Sequence, residues 1–188
     1  MIHYPGPMRL TPVFPTSAHH RGALLIVLTV IAALSACGGH SNVRSSSSRS
    51  LDTHWPVVPA SDPAAANAVV MRALSLVGIP YRYGGNTPES GFDCSGLINY
   101  IYQDMLDLRL PRTSRELAQI QGPKLPQKQL AAGDLVFFGN RGQVNHVGIY
   151  IGEGRFVHAP SNGGTVRLDM LDGTYWRDNY TGAKRVLY

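Results

Sequence analysis

Apolar side chains recur at helical spacing after Asp62: Ala66, Val69, Val70, Ala73, Leu74 and Val77 fall at i, i+3, i+4, i+7, i+8 and i+11. Asp62-Pro63 is a start signal, because the carboxylate can cap free amides and proline's fixed φ suits the first helical position; Gly78 and Pro80 stop the run. The spacing predicts an amphipathic helix over 62–77. A glycine- and proline-rich stretch, Tyr81-Arg82-Tyr83-Gly84-Gly85-Asn86-Thr87-Pro88, then predicts a loop. Cys94, Leu97, Ile98, Ile101, Tyr102 and Met105 repeat the helical spacing from Asp93 onward, so Cys94 is expected in the first turn of a second helix, facing inward. Thr113-x-x-Glu116 is a capping box for a short third helix ending at Gly122.

Beyond Gly133 the period changes from 3.6 to 2. Leu135–Phe138, His146–Ile151, Phe156–Ala159, Val166–Leu168 and Arg185–Tyr188 read as short strands between glycine-rich turns. Helices first and strands afterwards predict an α+β domain, N-terminal helices on a mostly antiparallel sheet, over 62–188.

The start of the chain follows a different pattern. Ala23–Ala36 is a largely apolar run of 14 residues after His19-His20-Arg21. That lies within the ~7–15 of a secretory signal core and short of the ~20 that span a bilayer. It ends at Leu34-Ser35-Ala36-Cys37, which resembles a lipoprotein cleavage site. Residues 1–36 are therefore expected to be a signal peptide and Cys37 the acylated first residue of the mature chain, which anchors it to a membrane. The serine-rich 37–61 has too few periodic apolar positions to fold and reads as a tether. Trp55 is its exception, a residue able to dock on the domain.

The formal charge of +5 drops to +3 once Arg9 and Arg21 are removed with the signal. No Lys/Arg run accompanies it, so nucleic acid is excluded as the expected partner, while an anionic polymer or membrane surface is compatible. With only Cys37 and Cys94 present, two separate thiol chemistries are expected rather than a disulfide.

A thiol is a nucleophile only as thiolate, and a free cysteine near ~8.5 is mostly protonated at neutral pH. A helix N-terminus stabilises the anion through its dipole and free amides, and an imidazole held nearby as an ion pair completes the activation. His146 is the candidate: alternation puts Val147, Ile149 and Ile151 on one face of its strand and His146 with Gly148 and Tyr150 on the other. His158, on the next strand of a hairpin turning at Gly152–Arg155, is within range to orient the ring. Two other readings use the same residues. Cys94, His146 and His158 form a legitimate zinc set, although no close ligand pair accompanies them, and a wall-binding protein could keep the fold without catalysis.

Six stretches in order resemble the NlpC/P60 family of cysteine peptidases: Tyr81–Gly85, Asp93-Cys94-Ser95-Gly96, Leu110–Ser114, Ala132–Phe138, His146–Tyr150 and Phe156–Ala159. The resemblance spans about 64–188 and implies a papain-like core with Cys94 as nucleophile, His146 as base and His158 as orienting residue. It also implies that the Tyr81 hydroxyl joins the Cys94 amide in stabilising the oxyanion. Asp93, Ser95 and Arg112 are candidates for substrate contact, with capping the simpler role for Asp93. The pattern is most similar to the small lipid-anchored murein endopeptidases of that family. It implies hydrolysis of diaminopimelate–D-alanine cross-links in peptidoglycan stem peptides, with cleavage of the γ-D-glutamyl–diaminopimelate bond as the alternative. No cofactor or metal is expected. The expected state is a monomer, at the outer membrane facing the periplasm.

Overall fold

The computed structural model describes residues 55–188, Gly163 excepted. The expected signal peptide, Cys37 and the tether up to residue 54 lie outside the described residues. Among the described residues no helix is long and apolar enough to cross a membrane.

Helix α1 spans Pro63–Ser75, and the Asp62 side chain accepts from the Ala65 amide at 3.0 Å as its cap. Ala66, Val69 and Ala73 form its buried stripe. Where the sequence predicted only a loop, two short strands, β1 (Asn86–Thr87) and β2 (Gly91–Phe92), pair antiparallel. Helix α2, Cys94–Leu106, follows with Asp93 as N-cap and ends at Asp107, whose φ of 52° turns the chain into the left-handed region. Leu97, Ile98, Ile101 and Tyr102 of α2 are fully buried. At ~1.5–3 kcal/mol for each large apolar side chain, they make the helix a fixed platform for its first residue. The short helix α3, Ser114–Leu117, carries the full Thr113/Glu116 capping box. It ends well before Gly122, because the amides of Gln119 and Ile120 turn to carbonyls three residues back and tighten the chain out of the α-helix.

Five strands then build one sheet: β3 (Leu135–Asn140), β4 (Gln143–Gly152), β5 (Arg155–His158), β6 (Arg167–Met170) and β7 (Tyr180–Lys184), in the order β6-β5-β4-β3-β7. Every neighbouring pair in it is antiparallel. Helix α4, Thr174–Asn179, precedes β7. Both α4 and the position of β7 depart from the sequence reading, which placed the last strand at 185–188. The reason lies in Arg185, whose guanidinium makes two hydrogen bonds to buried Asp134, at 2.9 and 2.8 Å. That ion pair turns the chain off the sheet edge, and Leu187 enters the core instead.

The sheet is covered on both faces. Phe137, Val147, Ile149 and Val157 meet α1 and α2 on one side. On the other, Val136, Phe138, Tyr150 and Phe156 meet Leu130, Leu171, Trp176 and Tyr180. Trp55 packs on this second face against Tyr150, with ring centroids 6.5 Å apart, and Val58 bridges to Ala131. Residues 55–61, which the sequence assigns to the tether, thus lie on the domain.

Candidate active site

Cys94 owes its position to a close approach between α2 and the loop before it. A methyl group on Gly96 would lie 2.0 Å from the Gly85 carbonyl oxygen, so only glycine lets the first turn of α2 sit against this loop. The Asp93 amide bonds the same carbonyl at 3.0 Å. The Asp93 carboxylate accepts from the amides of Gly96 (2.6 Å) and Gly84 (2.9 Å) and ties the helix start to the loop.

Arg112 completes this cluster. Its guanidinium meets both Asp93 oxygens, at 2.9 and 2.8 Å, and donates to Ser95 Oγ at 2.8 Å. Burial alone would raise the Asp93 carboxyl, but the Arg112 hydrogen bonds and the Gly96 and Gly84 amides hold it below its ordinary value. Asp93, Ser95 and Arg112 therefore bind one another, and the fork of Arg112 closes on Asp93 rather than standing open to a substrate carboxylate.

Tyr81 and Tyr83 separate clearly. Tyr83 is 91% exposed, whereas Tyr81 is half-buried and lies in the electrostatic reach of Cys94 and Asp93. Burial, then those two groups, raises the Tyr81 hydroxyl above its ordinary value, so it keeps its proton and remains a donor at neutral pH.

The histidines are joined directly. His146 Nε2 and His158 Nδ1 are 2.8 Å apart, and His158 Nε2 lies 3.0 Å from Asp169 Oδ2. The tautomers follow from the carboxylate end. Asp169 can only accept, so His158 Nε2 carries the hydrogen and its Nδ1 is a lone pair. His146 Nε2 must then donate, which leaves Nδ1 of His146 as the free base. Gly148 makes room for this chain, since a methyl there would lie 2.6 Å from the Phe156 ring and 3.3 Å from His158 Cβ. The zinc arrangement considered from sequence needs a lone pair on His158, whose Nδ1 already accepts from His146 and whose Nε2 carries the hydrogen given to Asp169.

Asp169 and Trp176 are site residues that the sequence reading missed. The Trp176 indole donates to Asp169 Oδ2 at 2.8 Å and its ring stacks on His146 at 5.3 Å and 28°. Arg167 adds two bonds to the same oxygen, at 3.2 and 3.0 Å. Burial would raise Asp169, but Trp176, His158 and Arg167 hold it below its ordinary value. The available signal was the alternation Arg167-Leu168-Asp169-Met170, in which the two charged residues share a face. Phe156 pairs with Asp169 and His158 with Arg167, which makes Asp169 the diagonal neighbour of His158.

The protonation state differs from the ion pair expected from sequence. Burial, followed by Asp93, pushes the Cys94 thiol up, against the opposing amides of Ser95, Val147 and Cys94 itself. Burial, followed by His158, lowers His146 to about 3. Burial thus favours the neutral form of both groups, a thiol and an imidazole. Cys94 reaches the amide of Val147 but makes no hydrogen bond to His146 among the described residues, as is common before substrate tightens a site.

Burial of neutral imidazoles also sets a stability window. His158 is fully buried and lowered to about 4, first by burial with Asp169 opposing. Below pH ~6.5 the unfolded chain binds protons that the folded one refuses, so stability is full above ~6.5. It falls as pH drops towards 4, by up to ~1.4 kcal/mol per pH unit for each histidine. Urea unfolding from pH 7 to 4.5 is expected to show this decline, with a shallower slope in His158→Gln. A flat profile would refute it.

Residues 78–185 match the NlpC/P60 family. The chain is 39% identical over 126 residues to murein DD-endopeptidase MepH of Escherichia coli, covering 65% of this chain and 46% of that protein. It is 40% identical over 129 residues to the gamma-DL-glutamyl hydrolase of Bacillus subtilis, covering 67% of this chain and 31% of that one. The chain thus spans less than half the length of both relatives. A crystal structure of an NlpC/P60 family protein from Bacillus cereus superposes with a TM-score of 0.62 at 30% identity, covering 70% of this chain and 42% of that one. With the family match spanning more than half of its residues, and the same architecture behind it, the chain belongs to the NlpC/P60 family.

Proposed function

We propose that this protein is a peptidoglycan endopeptidase of the cysteine type, acting on cross-links between diaminopimelate and D-alanine. The observation that carries the reading is the ordered chain Asp169–His158–His146, which leaves one imidazole nitrogen free, on a strand whose next residue, Val147, offers its amide to the Cys94 thiol at a helix N-terminus. A purely wall-binding protein has no use for an imidazole with a fixed tautomer.

In the mechanism, Cys94 Sγ attacks the scissile carbonyl carbon as its proton passes to His146 Nδ1. The oxyanion is held by the Cys94 amide and the Tyr81 hydroxyl. The C–N bond breaks, and the imidazolium returns the proton to the departing amine, leaving a thioester on Cys94. Water then attacks the thioester, giving one proton to His146, which passes it to the sulfur, and the acyl product leaves as the acid. His158 and Asp169 hold the His146 ring in position throughout. Arg112 holds Asp93, and so the start of α2, beneath the thiol.

The relatives favour this class and divide over the bond: one is named a murein DD-endopeptidase, the other a gamma-DL-glutamyl hydrolase. Digestion of purified peptidoglycan and defined muropeptides, with products identified by mass, decides. Release of uncross-linked stems supports the cross-link reading, products cut after D-glutamate replace it by the alternative, and no products refute the enzyme.

The lipid anchor belongs to the same reading. We infer that Cys37 is acylated, that 1–36 is removed, and that the mature protein works in the envelope on the periplasmic face of the outer membrane. Intact-mass measurement is expected to show a diacylated N-terminal cysteine. Cys37→Ser is expected to move the protein to the soluble fraction; an unmodified Cys37 in wild type would refute the anchor and leave the catalytic reading untouched.

A further inference from the structure

Beyond His146 the surface opens into a cavity of about 700 Å³, a size that accommodates a small ligand. Its walls include His146, Asn140, Asn145, Arg167, Tyr175 and Trp176, and neither Cys94 nor Tyr81. The chemistry of acyl transfer says which half of a substrate belongs there. The acyl half stays on sulfur, beside Cys94 and Tyr81. The amine half takes its proton from His146 and must depart across that ring, into a space that His146 walls.

Arg167 is the one charged residue lining this cavity among the described residues. Its Nε and one terminal nitrogen both go to a single oxygen of Asp169. The other terminal nitrogen has no protein partner among the described residues, and the side chain is 41% exposed. A guanidinium fixed on one edge and open on the other is a receptor for a carboxylate. Asn140 and Asn145 offer uncharged hydrogen-bonding groups, and Tyr175, 67% exposed, offers an aromatic wall.

We propose that this cavity binds the departing amine half of the substrate and that Arg167 recognises a free carboxylate carried next to the amine. The proposal rests on the peptidase reading above and sharpens it. At a cross-link the departing amine of diaminopimelate sits beside a free carboxylate, whereas at a γ-D-glutamyl bond within a stem the corresponding carboxyl is tied up in the next peptide bond. Arg167 thereby favours the cross-link.

The test uses two cross-linked muropeptides that are identical except that the carboxylate beside the departing amine is a carboxamide in one. Wild-type protein is expected to prefer the carboxylate about 10–100-fold in kcat/KM, the range for a hydrogen bond to a charged group. Arg167→Gln is expected to abolish the preference. Asn140→Asp, which adds a negative charge to the lining of the same cavity at a residue that makes no hydrogen bond to Asp169, is expected to weaken it. Equal cleavage of both substrates by wild type overturns the proposal. So does an Arg167→Gln variant that slows both alike with the preference intact, since Arg167 would then only position Asp169.

A binding arm separates failure of the cavity from failure of the peptidase reading. Free diaminopimelate and its diamide are titrated into Cys94→Ser protein while the Trp176 indole N–H is followed by NMR, Trp55 being the only other tryptophan. A shift with the acid alone, lost in Arg167→Gln, supports the site even if no bond is cut. No shift, or an equal shift with both, overturns it.

Discussion

Cys94→Ser is expected to lower turnover on peptidoglycan to background, a loss on the order of 10⁴-fold or more, as when the nucleophile of a catalytic group acting as a unit is removed. The size follows from the electrostatics of the site. Burial already pushes the thiol up, and a hydroxyl is a far weaker acid, so the same amides and imidazole cannot draw its proton away in time with attack. The fold is expected to be unaffected, because Oγ is smaller than Sγ and four buried side chains hold α2 in place. The measurement is muropeptide release beside thermal unfolding. A folded Cys94→Ser protein that cuts peptidoglycan as wild type does would remove the nucleophile assignment and leave the wall-binding reading.

His146→Ala is expected to be nearly as damaging, for a different reason. It removes the free Nδ1 that accepts the thiol proton and returns it to the amine, and it strands the lone pair of His158 that His146 satisfied. Alkylation by iodoacetamide against pH distinguishes this role from stabilisation of a preformed thiolate. With Cys94 raised and His146 neutral above about 3, wild-type alkylation is expected to rise at or above the range of an ordinary thiol. His146→Ala is expected to leave that profile largely in place while turnover collapses. A wild-type thiol that alkylates fully at pH 5, with loss of this reactivity in His146→Ala, would instead establish a resting ion pair.

Much of this could be read from the chain because local signals agreed with the final packing. Asp62-Pro63 and Asp93 announce α1 and α2, their apolar stripes contain the buried residues though Val77, past the end of α1, and Met105 are exposed, and the alternation through His146–Ile151 assigns His146 and Val147 to opposite faces, as found. The losses come where tertiary contacts decide. Helix α4 has no side-chain cap to mark its start, and its reason for existing is Trp176, whose ring partners Phe138 and Phe156 are remote in sequence. Strand β7 contains Gly182 and shifts register against β3, so its own pattern is weak, while the pairing demand of β3 is strong. Asp169 was hidden because its role depends on strand register, which a single strand does not reveal. The protonation states were hidden as well, since burial of His146 and Cys94 is a property of everything packed around them.

If the chain is lipid-anchored as proposed, the seat of Trp55 would set where load enters the domain. Trp55, the first described residue, lies against Tyr150 and the turn at Gly154, close enough that a methyl on Gly154 would lie 2.2 Å from its indole nitrogen. His146 lies four residues back from Tyr150 along β4, about 14 Å at ~3.4 Å per residue. On the lipidated reading, residues 38–54 join this point to the membrane, and at ~3.3–3.6 Å per residue they reach at most about 60 Å. Tension from a moving wall or bilayer would then be taken up at the Trp55 pole, through a strand anchored on both sides in the sheet. On that reading the enzyme would work within this radius of its mooring.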